Sequence, residues 1–389
     1  MRTIKVGTRQ SALALTQTGQ VVDRLKRLAA ESGLECRFEI VKIVTKGDRI
    51  LDVTLSKVGG KGLFVKEIEQ ALLSGEIDMA VHSMKDVPSM RQSGLVLGAV
   101  PERADARDCL IAANGAQALD ELPRGALVGT SSLRRQAQLL AHRPDLCVEP
   151  VRGNIDSRLR KLAEQGFDAI LLAAAGLIRM GWADRISGFL PPELCVPAVG
   201  QGALGIECRA ADSGMRELLA LLQHEPTALA VRAERAFLAR LNGGCQVPIG
   251  AHAVLAGSWQ PPAAGYAARA AAAAAAGAVA ATGAANASAM AGAVAAPGVA
   301  DAPAMAGAVV ATGAANAPAV ANAPAAGPVI RLTGMIGRPD GSALFRETAS
   351  GRDPERLGRE LAETLLGQGG DRILAEYQAE VAGLPGGED

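Results

Sequence analysis

Short β-rich runs alternate with helical periods through the first half of the chain, and this alternation constrains the fold more than any other feature. Residues 38–44 are rich in strand-forming side chains, whereas residues 64–72 place apolar side chains on one helix face. The alternation returns between about 105 and 196, where Asp168–Ala173 has the composition of a buried strand. Strands that alternate with helices along the chain indicate parallel-type sheets. Two α/β units are therefore predicted.

The chain after about residue 225 has a different pattern, which predicts a smaller α+β domain. It opens with an amphipathic helix, Ala228–Leu241. A turn signal, Arg338–Gly341, then separates the strand-like runs Ile330–Thr333 and Leu344–Arg346, as in a β-hairpin. The predicted domains are 1–100 with 200–222, 103–197, and 226–389.

Between about residues 260 and 328 the composition changes to Ala, Gly, Pro and Val, with Arg269 and Asp301 as the only charges. The segment repeats itself, since Ala-Thr-Gly-Ala-Ala-Asn occurs at 281–286 and again at 311–316. It has almost no large side chains with which to form a core. We expect an insertion that forms a mostly disordered loop between two strands of the third domain.

Charge and composition exclude several classes of function. The 40 basic residues balance 40 acidic ones, so no net field draws the chain to nucleic acid or to an anionic membrane. Aromatic residues make up 3%, which leaves few side chains to stack on bases. No apolar run approaches the roughly 20 residues that span a bilayer, and no signal-peptide core opens the chain. Scattered cysteines without metal-ligand spacing indicate free thiols, no metal and a cytoplasmic location.

Basic residues gather where predicted strands end. Gly129–Arg135 places hydroxyl side chains and two arginines at a strand-to-helix junction, where free N–H groups and the helix dipole favour an anion. The alternative is that Ser131 or Ser132 only caps the helix while the arginines are solvated. Other arginines that follow strand-like runs are Arg9, Arg152, Arg158 and Arg179. Because open α/β sheets bind ligands at this edge and guanidinium groups pair with carboxylates, a polycarboxylate ligand is indicated.

The glycine-rich segment Lys57–Phe64 lacks the glycine spacing and the Lys-Ser/Thr ending of a nucleotide-binding loop. A nucleotide site is therefore not expected there. The glycines suit a flexible loop beside the cleft, with Lys61 as a candidate carboxylate contact. An ordinary mobile surface loop explains the same residues equally well.

Two further segments carry reactive side chains. His82–Pro88 places Lys85 and Asp86 at the end of a strand, where a carboxylate can act as acid, base or partner of a developing cation. A solvated ion pair, with His82 as a packing residue, is the alternative. Cys245 lies beside glycines just beyond a helix. That open setting suits a nucleophile or covalent anchor, although most cysteines are small apolar core residues.

Taken together, these segments resemble the porphobilinogen deaminase family, whose motifs appear here in the same order. They are Thr8–Ser11, Lys57–Phe64, Val81–Pro88, Gly129–Arg135, Arg152–Asn154, Pro197–Gly202 and Gly243–Pro248. The resemblance implies two periplasmic-binding-protein-like α/β domains around a cleft, joined by crossings at about 99–103 and 197–201, and a small α+β C-terminal domain. The family lacks the 260–328 insertion.

The resemblance also implies an activity, hydroxymethylbilane synthase. Four porphobilinogen molecules would be joined head to tail on a dipyrromethane primer held through a thioether, and the monomeric protein would bind no nucleic acid or membrane. Asp86 would be catalytic, assisting loss of ammonia and stabilising the azafulvene cation. The implied cofactor-binding residues are Cys245 (covalent), Ser83, Lys85, Thr130, Ser132, Arg134, Arg135, Gly153 and Arg158. The implied substrate-binding residues are Arg9, Ser11, Lys61, Arg103, Arg152, Arg179 and Gln201.

An anion-binding sensor on the same two-domain scaffold would also use strand-end arginines and a hinged cleft. Such a protein would need neither Asp86 nor a cysteine in an open loop. A nucleic-acid-binding role ranks last, because the chain has few aromatic residues and no net charge.

Overall fold

Three β-sheets organise the part of the chain that the computed structural model describes, namely residues 2–49, 62–89, 92–243, 247–256 and 327–382. The strands are β1 Arg2–Arg9, β2 Cys36–Ile43, β3 Met79–Ser83, β4 Leu95–Ala99, β5 Asp108–Ala112, β6 Leu127–Gly129, β7 Cys147–Glu149, β8 Ala169–Ala173, β9 Gly188–Leu190, β10 Leu204–Arg209, β11 Ile249–Leu255, β12 Ile330–Gly337 and β13 Leu344–Gly351. The α-helices are α1 Ala12–Glu31, α2 Lys46–Arg49, α3 Lys66–Ser74, α4 Leu133–His142, α5 Ile155–Glu164, α6 Ala174–Arg179, α7 Ser213–Ala220, α8 Glu225–Arg240, α9 Pro354–Leu365 and α10 Asp371–Ala382.

The first two sheets each have five strands, in the orders β2-β1-β3-β10-β4 and β7-β6-β8-β5-β9. Burial of apolar side chains holds helices against both sheets: Val22 and Leu25 of α1 pack with Ile4 and Val6 of β1 in one core. In the second sheet, Leu139 of α4 packs in a core with buried strand residues. The strands predicted within residues 38–44 and at Asp168–Ala173 are present as β2 and β8.

Both sheets are mixed, so the prediction of parallel-type sheets is wrong in part. Strand β1 runs parallel to β2 and β3, but β10 runs antiparallel to β3 and β4. Likewise β6 is parallel to β7 and β8, whereas β5 is antiparallel to β8 and β9. The reason is the chain path. Strands β5 and β10 each enter their sheet from the other one, across residues 100–107 and 191–203.

The third sheet is the antiparallel order β11-β12-β13, and the predicted hairpin is confirmed as β12 and β13. Helices α8 and α9 cover it, with Phe237 fully buried between helix and sheet. An added Cβ on Gly334 would lie 2.7 Å from the Phe237 ring, so a glycine is needed for this close approach. Two mixed α/β units with a smaller α+β unit confirm the fold class predicted from the sequence.

Candidate active site

Asp86 ends a short 3₁₀ turn, Met84–Asp86, that follows β3 directly. The Met84 N–H donates to the Ala203 carbonyl on the chain entering β10, at 3.0 Å. The side chain of Met84 is 1% exposed, so it anchors the turn in the core. Asp86 itself stays partly exposed, with its Oδ2 3.8 Å from Nη1 of Arg9. The turn therefore presents one carboxylate beside a guanidinium at the end of the sheet.

Arg9, at the end of β1, is held in place by a carboxylate and by an aromatic ring. Its Nη2 donates to Asp48 Oδ1 at 2.5 Å, and its guanidinium carbon lies 4.2 Å from the centre of the Phe64 ring. Burial alone would raise the pKa of Asp48, but the hydrogen bonds and charge of Arg9 lower it below the usual carboxyl range. Asp48 is thus an ionised partner that orients Arg9 toward Asp86. No sequence motif indicated a role for Asp48.

Another carboxylate, the fully buried Asp108 at the start of β5, binds the arginines of α4. Its Oδ2 accepts from Arg134 Nη1 at 2.7 Å, and its Oδ1 accepts from Arg135 Nη2 at 2.8 Å and from Gln201 Nε2 at 2.9 Å. Burial would raise the pKa of Asp108, yet the two guanidinium groups hold it well below its ordinary value. Sequence reasoning missed Asp108, because one acidic residue at the edge of a strand carries no motif.

The junction between β6 and α4 is built as a capped helix. Ser132 is the N-cap residue, and its side chain accepts from the Arg135 N–H at 3.5 Å. The Ser131 hydroxyl donates to the Val151 carbonyl at 2.8 Å, and Thr130 Oγ1 accepts from the Ser132 N–H at 3.2 Å. Capping by Ser132 is therefore confirmed. The accompanying idea that the arginines are solvated is wrong, since Arg134 is 4% and Arg135 6% exposed.

Half-buried cations lie near the ends of β3 and β6. Burial lowers the pKa of Lys85, and the charge of Arg135 lowers it further, whereas Asp86 raises it. Burial also lowers the pKa of Arg158 to about 10, with Arg135 and Arg152 adding to the effect. Cations whose pKa values are lowered by burial and by a neighbouring cation favour an anion among them. A ligand carrying several carboxylates would relieve their repulsion.

Three other predicted residues are held by local contacts. Ser11 caps α1 by accepting from the Ala14 N–H at 3.3 Å, and the Ser83 hydroxyl donates to Gln17 Oε1 at 3.1 Å. Arg179 donates to the Gly202 carbonyl at 2.7 Å, and burial lowers its pKa to about 10. Ser11 and Ser83 lie at strand ends, whereas Arg179 is the last residue of α6, and none of these contacts excludes a ligand.

Gly153 has a left-handed backbone conformation, and its carbonyl is a hydrogen-bond acceptor for Arg158. Its φ of +111° suits glycine, and its carbonyl accepts from Arg158 Nε at 2.8 Å. An added Cβ would lie 2.8 Å from Ser157 Cβ. The glycine therefore allows the chain to turn into α5 while orienting Arg158.

Arg103 and Gln201, both expected to contact substrate, make several contacts within the protein. Arg103 donates to both oxygens of Glu234, at 2.6 and 3.2 Å, and to the Gln201 carbonyl at 2.8 Å. Gln201 is 1% exposed and donates to Asp108. These contacts fix both side chains, and their contact with substrate stays a prediction. Arg103 ties the first crossing segment to α8.

Two predicted site residues, Lys61 and Cys245, lie outside the described residues, as does nearly all of the 260–328 segment. Within the described ranges, no helix is long and apolar enough to cross a membrane. The same ranges contain no group of three or more His, Cys, Asp or Glu side chains that could hold a metal ion.

Comparison with known proteins identifies the family. The model described as "Porphobilinogen deaminase, dipyromethane cofactor binding domain" matches residues 4–217. The chain belongs to the porphobilinogen deaminase family. A second model, for the porphobilinogen deaminase C-terminal domain, matches residues 228–259 and ends where the Ala-rich segment begins. The resemblance seen in the sequence motifs is thereby confirmed.

Porphobilinogen deaminases of several bacteria align with nearly the whole chain. The protein of Paenibacillus macerans is 55% identical over 371 residues, which cover 95% of this chain and 98% of that one. The protein of Brevibacillus brevis is 50% identical over 376 residues, covering 97% and 98%. The family model also names a dipyrromethane cofactor, and the half-buried cations Lys85 and Arg158, whose pKa values are lowered by burial and by the charge of Arg135, fit a group that carries carboxylates.

Solved structures with a similar arrangement are much more distant. A substrate-binding domain of a putative amino acid ABC transporter from Streptococcus pneumoniae is 16% identical, with a TM-score of 0.38 over 57% of this chain and 92% of that chain. An arginine-specific periplasmic binding protein from Salmonella typhimurium is 15% identical, with a TM-score of 0.35 over 59% and 94%. At such low scores the likeness supports no conclusion about function.

Proposed function

We propose that this member of the porphobilinogen deaminase family is a hydroxymethylbilane synthase, a monomeric cytoplasmic transferase. It joins four porphobilinogen molecules head to tail, releases one ammonia for each, and finally frees hydroxymethylbilane by hydrolysis. The observation that carries the proposal is Asp86, a partly exposed carboxylate 3.8 Å from Arg9 and next to the half-buried cation Lys85. One negative charge among cations suits a substrate that carries carboxylates and becomes positive as it reacts.

We assign one group of residues to the incoming substrate and another to the primer. Arg9, Ser11, Arg152 and Arg179, with Lys61, hold the acetate and propionate groups of the incoming substrate. The primer is held by Cys245 through a thioether, and by Ser83, Lys85, Thr130, Ser132, Arg134, Arg135, Gly153 and Arg158. When bound, dipyrromethane supplies the free pyrrole α-carbon that is joined to the first substrate molecule. Asp108 acts here as a positioning residue, because it fixes Arg134 and Arg135.

Asp86 assists the loss of ammonia from the substrate. The bond between the aminomethyl carbon and nitrogen breaks, its electron pair leaves with ammonia, and positive charge develops on the pyrrole ring. The Asp86 carboxylate accepts a hydrogen bond from the pyrrole N–H and stabilises that charge. Carbon–carbon bond formation would then displace the proton on the α-carbon of the chain end, and the Asp86 carboxylate would accept that proton and pass it to water. Arg9, whose Nη1 lies 3.8 Å from Asp86 Oδ2, orients the carboxylate.

The sheets suggest how the units divide. We propose domains at 1–100 with 200–222, at 103–197 and at 226–389, so that the crossing segments act as hinges between the first two. Support comes from the chain path, since β4 and β10 belong to one sheet and β5 and β9 to the other. Hinge motion would let one active site serve a growing chain.

The covalent primer is tested by intact mass spectrometry of the wild type, Cys245→Ser and a control, Cys147→Ser. Cys147 is an exposed free cysteine, so its replacement controls for loss of a thiol. We expect the mass of two linked pyrrole units on the wild type and on Cys147→Ser, and none on Cys245→Ser. A wild type that stays unmodified after incubation with porphobilinogen would leave the fold standing and favour the anion-binding protein.

The role of Asp86 is tested separately with Asp86→Asn, which removes the charge and keeps the shape. We expect primer attachment and folding to survive while turnover falls by roughly 10²-fold or more, the usual cost of losing an electrostatic partner. Normal turnover by this variant would remove Asp86 from the mechanism. Asp120→Asn is the control, because Asp120 is exposed and pairs only with His142 among the described contacts.

A further inference from the structure

The turn that carries Asp86 is held on its far side by an arginine from another part of the molecule. Arg235 of α8 donates from Nη1 to the Val87 carbonyl at 3.1 Å, and from Nη2 to the Pro88 carbonyl at 2.6 Å and the Ser89 carbonyl at 3.3 Å. These carbonyls belong to the three residues that follow Asp86. A single guanidinium thus binds three consecutive backbone acceptors where the chain leaves the turn.

The fork of arginine is suited to this contact. A guanidinium presents five N–H donors in one rigid plane, so it can hold several carbonyls in a fixed relation to one another. A lysine ammonium is a single point of charge on a flexible stem and holds fewer acceptors at a defined spacing. The contact therefore fixes the direction of the backbone after Asp86, and it also places a positive charge beside three backbone carbonyls.

Glu234, the residue before Arg235, binds both of the crossing segments that connect the first two sheets. Glu234 is 0% exposed and accepts from Arg103 in the first crossing segment at 2.6 Å. It also accepts from the Gly200 N–H in the second crossing segment at 2.7 Å and from the Ala253 N–H of β11 at 2.8 Å. One turn of α8 therefore contacts both crossings, the third sheet and the Asp86 turn.

The opposite side of the same turn is packed against the second crossing segment. Gly200 has a φ of +71°, and an added Cβ would lie 2.6 Å from Cγ of Met84. Met84 and Val231 of α8 share one buried cluster. The Asp86 turn is thus enclosed between the second crossing segment and α8, with Arg235 as its polar contact.

We propose that Arg235 is a positioning residue for the reaction: it holds the Asp86 turn in a fixed relation to α8 while the two α/β units move about the crossing segments. This inference rests on the proposed function, because it assigns Arg235 an effect on the step that Asp86 performs. Arg235 touches neither substrate nor primer in this proposal. Its loss should therefore affect the rate of the chemical step and leave substrate affinity nearly unchanged.

The test compares Arg235→Lys and Arg235→Met with Arg232→Met in steady-state turnover of porphobilinogen. Arg232 lies on the same helix, is 48% exposed and pairs with Glu225, which makes it a matched control. A misplacement of about 1 Å at a reacting group costs on the order of 10²-fold in rate. We expect kcat to fall roughly tenfold to a hundredfold in both Arg235 variants, with KM within about twofold of the wild type and Arg232→Met unchanged.

The outcomes distinguish failure of the positioning role of Arg235 from failure of the proposed synthase activity. Primer attachment is read by intact mass, and folding by thermal unfolding, in every variant. If Arg235→Met does not fold, Arg235→Lys decides, because it keeps the charge and most of the packing. A folded Arg235→Lys with wild-type kcat, or with raised KM and unchanged kcat, overturns the positioning role. A wild type that does not consume porphobilinogen overturns the proposed function instead.

Discussion

Asp108 and Arg135 are joined by two hydrogen bonds, with Asp108 Oδ1 3.0 Å from Nε and 2.8 Å from Nη2 of the arginine. The other oxygen accepts from Arg134, so one buried carboxylate balances two buried guanidinium groups. All three side chains are at most 7% exposed. Removal of the single negative charge would leave two positive charges in a site from which water is largely excluded.

We therefore predict that Asp108→Asn destabilises the protein by about 3–5 kcal/mol, the usual cost of breaking a buried ion pair on one side. The free energy of unfolding in urea measures this directly. Asp120→Asn, at an exposed pair, should change it by less than about 0.5 kcal/mol. Equal unfolding energies for Asp108→Asn and the wild type would show that the arginines find other partners.

Arg158 and Arg160 lie on the same helix, α5, but only Arg158 is crowded by other cations. A charged hydrogen bond to a carboxylate contributes roughly 1.5–3 kcal/mol. We predict that Arg158→Gln weakens binding of the primer roughly tenfold to a hundredfold, so that intact mass spectrometry finds the added mass of two pyrrole units on a smaller fraction of the variant than of the wild type. Arg160→Gln, at an exposed position, should behave as wild type. Equal effects of the two changes would argue for a diffuse charge effect in place of a defined contact.

Much of the fold was predictable from local patterns. The hairpin β12–β13 appeared in the sequence as a Pro-Asp-Gly turn between β-rich runs, and α8 as an amphipathic period; the structure has both. The antiparallel direction of β5 and β10 was not predictable in this way. It depends on the chain crossing between sheets, which no local pattern records.

The site was predictable only where residues carry a motif. Asp86 and the arginines of α4 follow strands and stand in recognisable segments, so the sequence could single them out. Asp48, Asp108, Glu234 and Arg235 act through partners that are distant in the sequence; Asp108 and Gln201, for example, are 93 positions apart. Only the folded chain brings such pairs together, and the contact between Arg103 and Glu234 is a further example that the sequence did not indicate.

The Ala-rich segment gives a third prediction. Leu255 of β11 pairs with Ile330 of β12, so the two ends of the connection are adjacent. Loop-closure free energy grows only with the logarithm of length, by about 0.6 kcal/mol for each doubling. Deletion of residues 262–326 should therefore leave kcat and KM within about twofold of wild type, since no proposed site residue lies there.

The control for this deletion is a Gly/Ser linker of the native length in place of residues 262–326. A linker variant that keeps full activity while the deletion loses it would show that length matters. Loss of activity in both, with folding intact, would show that the native sequence takes part in the reaction cycle.

His252 of β11 gives a prediction on acid stability. It is 8% exposed, and a small cavity of about 30 Å³ beside it is lined by Glu193, Arg331 and neighbouring residues. Burial and, to a smaller extent, the charges of Arg103 and Arg331 together lower its pKa from 6.5 to about 3. The folded protein therefore keeps His252 neutral over a range of pH in which the unfolded chain binds a proton.

The sign follows from this difference in proton binding. Because the folded pKa is depressed, the stability contributed by neutral His252 is fully present above the unfolded value of 6.5 and declines as the pH falls toward 3. The decline approaches about 1.4 kcal/mol per pH unit. In His252→Gln this proton is absent, so the variant should lose less stability than the wild type between about pH 7.5 and about pH 5.5. Urea unfolding of both proteins at the two pH values measures the difference, and parallel losses would mean that His252 is protonated equally in the folded and unfolded states.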